Sequence, residues 1–258
     1  MTATKRTAIV TGASRGIGRA TAIRLAQDFD AIVPVARSAD GLESTAAEIR
    51  AFGAGALPIA VDLRDTAAAD SVIAKTLAHF GRIDALINIA GAVPQADLFA
   101  MTDAEWADGL ALKFHGARRL AIRAWDALKL SNGSVVFMSG SSAITPKAAF
   151  AAVGTINAAI SAMAKAFAER GVADGVQVNA VLPGPVMTDR RRSMLEKYAS
   201  GKDISFDTAV VEYAHETGIT RYGTPEDIAG LIAFVVSPPA RWMTGATLRM
   251  DGGEIKAV

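Results

Sequence analysis

The chain of 258 residues contains no cysteine, so it can form neither a disulfide framework nor a thiolate nucleophile. Its three histidines are scattered at His79, His115 and His215. With no thiolates to join them, no catalytic metal is expected. Tyrosine is as scarce: there are three, and none precedes Tyr198. Neither sign of charge dominates, since 27 Lys plus Arg face 26 Asp plus Glu, which removes the electrostatic reason to expect nucleic acid or an anionic membrane as partner. Met1 to Arg6 hold no apolar targeting core, and no apolar stretch is expected to reach the ~20 residues that span a bilayer. Repeats, low-complexity tracts and a Pro/Gly/Ser-rich linker are absent as well. These absences point to one cytoplasmic domain over residues 1–258 that handles small molecules.

What is present is alternation. Apolar, β-branched runs recur at Thr7–Val10, Ala31–Val35, Leu57–Val61, Ala85–Ile89, Ser134–Met138, Val176–Val181 and Ala246–Met250. Between them lie stretches of helical periodicity near Gly16–Gln27, Leu42–Phe52, Ala67–Phe80, Asp103–Leu128, Ala152–Arg170 and Pro225–Val235. Strands that alternate with helices predict an α/β fold, a doubly wound parallel sheet covered on both faces. The alternation fails between Thr188 and Thr224, a stretch that holds Arg190, Arg191, Arg192 and all three tyrosines. A long excursion after a strand's carboxyl end is the usual place of a substrate lid.

The first strand runs into Thr11-Gly12-Ala13-Ser14-Arg15-Gly16-Ile17-Gly18, and a helix pattern follows. Strand, glycine loop and helix in this order form a phosphate cradle: glycines allow a tight turn and close backbone approach, and the helix's first N–H groups point at the anion. Asp62 after the third strand is suited to accept from an adenine amino group or to act as a helix N-cap. Asn88-Ile89-Ala90-Gly91 ends the fourth strand with small residues that admit a flat cofactor, and it suits a plain turn equally. At the end of the second strand no acid is present to bind ribose hydroxyls. Arg37 there, with Arg15 in the loop, offers forked donors to a 2′-phosphate, which favours NADP over NAD, although both could be solvated surface arginines.

The glycine loop, Asn88-Ile89-Ala90-Gly91, Pro183-Gly184-Pro185-Val186-Met187-Thr188, Arg221-Tyr222-Gly223-Thr224-Pro225-Glu226-Asp227 and Asp251-Gly252-Gly253 together resemble the short-chain dehydrogenase/reductase family, over essentially the whole chain. The resemblance implies a Rossmann-like single domain, a nicotinamide dinucleotide and association as a tetramer or dimer. It also implies that Ser14, Ile17, Leu63, Ala90, Pro183, Gly184 and Val186 join the cofactor site, with Thr188 at the nicotinamide carboxamide.

The same resemblance implies a catalytic set: a Ser after the fifth strand, a Tyr and a Lys four residues apart on the next helix, and an Asn on the preceding long helix. Ala158 to Ala168 is similar to the family's segment just after that Lys. Asn157 then takes the Lys position, Val153 the Tyr position, and Gly140 the Ser position, with Ser139 and Ser141 beside it. The Asn position falls on Lys113, so Asn and Lys are exchanged between two sites that are neighbours in the family. Ser139 or Ser141 faces substrate, or the cluster is ordinary turn chemistry. Lys113 either reaches the cleft, where burial would lower its pKa and make it a proton donor, or extends to solvent. His115 and Lys147 are further candidate acids, and the arginine run could bind a carboxylate or an acyl-carrier phosphate or be a solvated face. The expected activity is an NADP-dependent oxidoreductase for a small carbonyl, alcohol or acyl thioester; the alternative is a dinucleotide sensor or non-catalytic partner subunit.

Overall fold

The computed structural model describes residues 6–256. Eight strands, β1 (Thr7–Thr11), β2 (Ala31–Ala36), β3 (Gly55–Ala56), β4 (Ile59–Ala60), β5 (Ala85–Asn88), β6 (Ser134–Met138), β7 (Gln177–Pro183) and β8 (Thr247–Met250), form one sheet. Its order is β3-β2-β1-β5-β6-β7-β8, with β4 also on β2, and every pairing is parallel. Nine α-helices cover the two faces and one end among the described residues: α1 (Gly16–Leu25), α2 (Ala39–Ala51), α3 (Ala68–Phe80), α4 (Asp103–Gly109), α5 (Ala117–Ser131), α6 (Ala151–Asp174), α7 (Asp189–Lys202), α8 (Phe206–Thr217) and α9 (Pro225–Val235).

Two-residue periodicity divides each strand's side chains between the faces. In β1, Ile9 joins Val33, Leu86 and Phe137 in a core with Val72 of α3, Leu120 and Leu128 of α5, and Ile156 of α6. Ala8 and Val10 join Ile32, Ile87 and Val136 in the opposite core with Leu25 of α1, Leu42 of α2, and Ile232 of α9. Each fully buried Leu or Ile contributes ~1.5–3 kcal/mol by leaving water, so a one-residue register slip would exchange both cores at once.

Three expectations need correction. The strand expected at Leu57–Val61 is two short pairings, β3 and β4, separated by Leu57 and Pro58, because proline has no N–H to give the ladder. The helix expected over Asp103–Leu128 is not uniform: between α4 and α5, residues Leu110–Gly116 form a π-helical segment. Finally, α6, with the preceding turn, is long and apolar enough by length and composition to cross a membrane. Here its buried Ala152, Ile156, Ile160, Ala164 and Ala168 belong to the sheet core.

The segment from Thr188 to Thr224 is built from regular elements. Thr188 and Ser205 cap α7 and α8 by accepting the backbone N–H of Arg191 and Thr208. Between them the two helices enclose a small apolar cluster of Leu195, Ile219 and Tyr222.

Candidate active site

The carboxyl ends of the central strands open on a cleft of about 580 Å3. Gly12 (φ 69°) and Gly16 (φ 54°) hold left-handed conformations that L side chains rarely adopt. A Cβ on Gly18 would lie 2.2 Å from the Gly12 carbonyl oxygen, so the loop closes on the helix only with glycine there. Two threonines brace it. Thr11 Oγ1 accepts the backbone N–H of Ile89 (2.9 Å) and Ala90 (3.0 Å) from the end of β5, and Thr45 of α2 donates to the Ala13 carbonyl (2.9 Å). No acid occupies the first turn of α1 and no side chain caps it, which leaves its positive end to the cleft. Arg15, Arg37, Lys113 and Arg190 line the wall, against Asp189 as the one acid among the described lining residues.

Lys113 sits in the π segment, where the widened turn re-aims a side chain. Its stem passes over Gly91, where a Cβ would lie 2.9 Å from Lys113 Cδ. The ammonium donates to the Asn157 side-chain oxygen Oδ1 and to the Ser139 carbonyl at 3.2 Å. Burial, and secondarily the charge of Arg190, push its pKa down to about 7. Arg190 is fastened by a hydrogen bond from Nη2 to the Val93 carbonyl (2.7 Å).

Asn157 lies in the wall of an adjoining pocket of about 190 Å3, with Ser141, Ser142, Val153, Lys147, Arg191 and Tyr213. Its Nδ2 donates to Ser142 Oγ at 2.9 Å. A Cβ on Gly140 would lie 2.6 Å from that nitrogen, so the carboxamide fills the space a side chain at 140 would need. Cleft and pocket share Pro183 and Gly184, and one side chain, Asn157, joins their polar groups.

A family model described as enoyl-(acyl carrier protein) reductase matches residues 12–254. Over 246 residues, 95% of this chain and 92% of the relative, the sequence is 33% identical to the short-chain reductase protein NovJ of Streptomyces niveus. The chain belongs to the short-chain dehydrogenase/reductase family. It is also 32% identical over 256 residues to a 3-oxoacyl-[acyl-carrier-protein] reductase of Synechocystis, covering 98% of each. Among solved structures, L-sorbose reductase of Gluconobacter frateurii, complexed with NADPH and L-sorbose, superposes with a TM-score of 0.94 at 26% identity, over 99% of this chain and 98% of that one. An actinorhodin polyketide ketoreductase with NADPH gives 0.91 at 26% identity, over 97% of each.

Within this short-chain dehydrogenase/reductase fold, Gly12, Ser14, Arg15, Gly16, Ile17 and Gly18 line the cleft, as do Arg37, Leu63, Ala90 and Gly91. Pro183, Gly184 and Thr188 complete that wall. Three expected residues lie outside it. Asp62 accepts from the backbone N–H and guanidinium of Arg64, with Arg37 3.8 Å away, so its carboxylate belongs to a surface ion network. Asn88 is buried, and neither polar atom of its amide has a partner among the described residues. Val186 packs into the α1/α9 core and bridges Gly223, so its side chain faces away from the cleft.

The serine expectation is also revised. Ser139 lines the cleft, but its hydroxyl donates to the Asn157 carbonyl (2.7 Å) and accepts from Ser161 (3.0 Å), which makes it a brace for α6. Ser141 lines the second pocket. Ser142 was not singled out from the sequence, because nothing in a Ser/Gly turn distinguishes one hydroxyl from its neighbours. Of the arginine run, only Arg190 faces the cleft; Arg191 lies over Tyr213 and lines the pocket, and Arg192 lies over Phe206. His115 Nδ1 is buried without a partner among the described residues, and burial, then Arg118 and Arg119, lower its pKa; it is absent from the described linings of both cavities.

Proposed function

We propose that this protein is an NADP(H)-dependent reductase of small carbonyl compounds in which Lys113, held by Asn157, supplies the cationic acid of the site. The carrying observation is the buried ammonium between Asn157 Oδ1 and the Ser139 carbonyl, where the cleft beside the glycine loop meets the second pocket.

The residues present fit the cofactor. Gly12 and Gly18 let the loop close tightly on Ala90 and on its own backbone, where a Cβ would crowd them, the uncapped end of α1 accepts a pyrophosphate, and Arg37 and Arg15 supply forked donors for a 2′-phosphate. When bound, the nicotinamide supplies the hydride. The chain's own residues do the rest. Lys113 has three protons and uses two on protein acceptors, which leaves one for a ribose hydroxyl or the substrate oxygen. With its pKa lowered to about 7, this ammonium is a far better acid than an ordinary lysine, as proton donation near neutrality requires. At about 190 Å3, the pocket suits a small ketone, aldehyde or thioester head rather than a long buried chain. The expected family tyrosine is replaced by Val153, which has no proton to give, so the acid comes from the helix that carries the family's asparagine.

The test is titration of the purified protein with NADPH and NADH, followed by a carbonyl panel read at the cofactor absorbance. NADPH should bind more tightly, and Lys113→Met should retain the fold while turnover falls ~10²–10⁴-fold, the usual contribution of a general acid. Equal turnover in Lys113→Met overturns the assignment of the acid. Tight NADPH binding with no turnover on any carbonyl would favour the sensor reading instead.

A further inference from the structure

Three serines stand within a four-residue stretch, Ser139 on the cleft and Ser141 and Ser142 on the second pocket, and their hydroxyl protons have different fates. That of Ser139 goes to the Asn157 carbonyl. Ser141 Oγ makes no hydrogen bond among the described residues, so nothing fixes it. Ser142 Oγ is held, because it accepts the Asn157 amide N–H at 2.9 Å, yet its own proton has no acceptor among the described residues.

The direction of that bond is forced. An ammonium only donates, so Lys113 must face the Asn157 oxygen, and the amide nitrogen must then face Ser142. An oxygen that accepts from an amide is a stronger donor through its own O–H, since bonds in a chain polarise one another. Ser142 lines the pocket beside Val153 and Gly140, and Gly140 is the residue whose lack of a side chain lets the Asn157 amide occupy its place.

We infer that Ser142 is the residue that hydrogen-bonds the substrate's carbonyl oxygen in the bound complex, with Asn157 orienting it and Lys113 delivering its proton as charge develops. The inference rests on the reductase reading above and deepens it. In the family arrangement implied by the sequence, a serine at position 140 would hold this oxygen. Here the hydroxyl comes from two residues further along, on the short 3-10 turn Ser141–Ala143. The carbonyl oxygen would sit ~2.7–2.8 Å from Oγ, and charge that develops on it during hydride arrival would meet a donor already in place.

The test reads the bond itself. Ethyl acetoacetate labelled with 13C at the ketone is bound to the protein with saturating NADP+, where no reduction occurs, and the labelled carbonyl stretch is recorded by difference infrared spectroscopy. In the wild type the stretch should move to lower frequency than in water-free solvent. Ser142→Ala should abolish the displacement, and Ser142→Thr, which keeps a hydroxyl, should restore it. In parallel, kcat/KM for reduction should fall ~10²-fold in Ser142→Ala, as when one oxyanion donor is removed, while the NADPH dissociation constant stays unchanged. A bound carbonyl whose stretch is the same in wild type and Ser142→Ala overturns the inference and leaves the reductase reading standing. Loss of the displacement in Ser141→Ala, with Ser142→Ala unaffected, transfers the role and likewise overturns it. A wild type that binds NADP(H) but reduces no carbonyl and shows no bound ketone overturns the reductase reading, and the inference falls with it.

Discussion

The two ends of the active cleft are built from different materials. At the glycine loop, function is carried by the backbone: positive φ angles at Gly12 and Gly16, a Gly18 that no Cβ can replace, and the uncapped start of α1. At the junction of β6 and α6 the wall is built from side chains that touch one another, Lys113, Asn157 and Ser142, with the room left by Gly140, and the proposed acid sits among them. A backbone cradle has few alternative solutions, because its donors are the chain itself. A side-chain network can be rewired, provided that the partners change together, and that lesson can be tested at both ends.

The largest effect is expected from Gly18→Ala. Its Cβ would stand 2.2 Å from a backbone oxygen, and relief requires the loop to open, so NADPH affinity should fall at least ~100-fold, the equivalent of ~2.7 kcal/mol within the usual range for overpacking. Calorimetric titration measures it, and near-normal affinity would show that the loop is more pliable than its glycines suggest. Next comes Gly140→Ser. Restoring a serine where the family pattern has one should lower turnover, by ~10²-fold, since its Cβ would displace the Asn157 amide; a gain in turnover would break the comparison. By contrast, Lys113→Asn combined with Asn157→Lys should be milder than the sum of the single changes, because the pair exchanges partners without losing either.

Arg37→Ala should weaken NADPH by ~10–100-fold and leave NADH unaffected, the ~1.5–3 kcal/mol of a charge-assisted contact. Equal losses for both cofactors would remove Arg37 from 2′-phosphate recognition. The smallest effect is in pH. The Lys113 ammonium meets Asn157 of α6 and Ser139 after β6, its stem crosses Gly91 after β5, and Arg190 of α7 brings a positive charge near it. The folded pKa of about 7 lies below the ordinary 10.5, so between these values the unfolded chain binds more protons. Stability should therefore rise with pH through that window, and Lys113→Met should flatten the rise. Turnover should move oppositely, falling as pH rises through about 7. Thermal denaturation and rate profiles at matched salt separate the two.

Much of this was legible in the sequence for physical reasons. Continuous apolar runs marked the strands because both faces of the sheet are buried, and the glycine loop was readable because its chemistry lies in residues with few substitutes. The meeting of Lys113 with Asn157 was legible only as one of two outcomes, cleft or solvent, because a lysine stem can serve either. What escaped was whatever depends on three-dimensional choice. No propensity marks Leu110–Gly116 as a π segment, and Pro58 splits a strand whose apolar content alone reads as continuous. The helices α7 and α8 were hidden because they pack mainly on each other, around Leu195 and Tyr222, and so lack the strong stripe of a core helix. Nor could composition tell Ser142 from Ser139, whose difference is only where a neighbouring amide points.

The three arginines that open α7 have a mechanical consequence. Successive residues on a helix turn by ~100°, so one short stretch sends Arg190 to the Val93 carbonyl, Arg191 over Tyr213 and Arg192 over Phe206. The first of these is a latch and the other two are its handle. The first turn of α7 is thus tied at once to the segment after β5 and to α8, and the guanidinium held at Val93 keeps a positive charge near Lys113 that adds to burial in lowering its pKa.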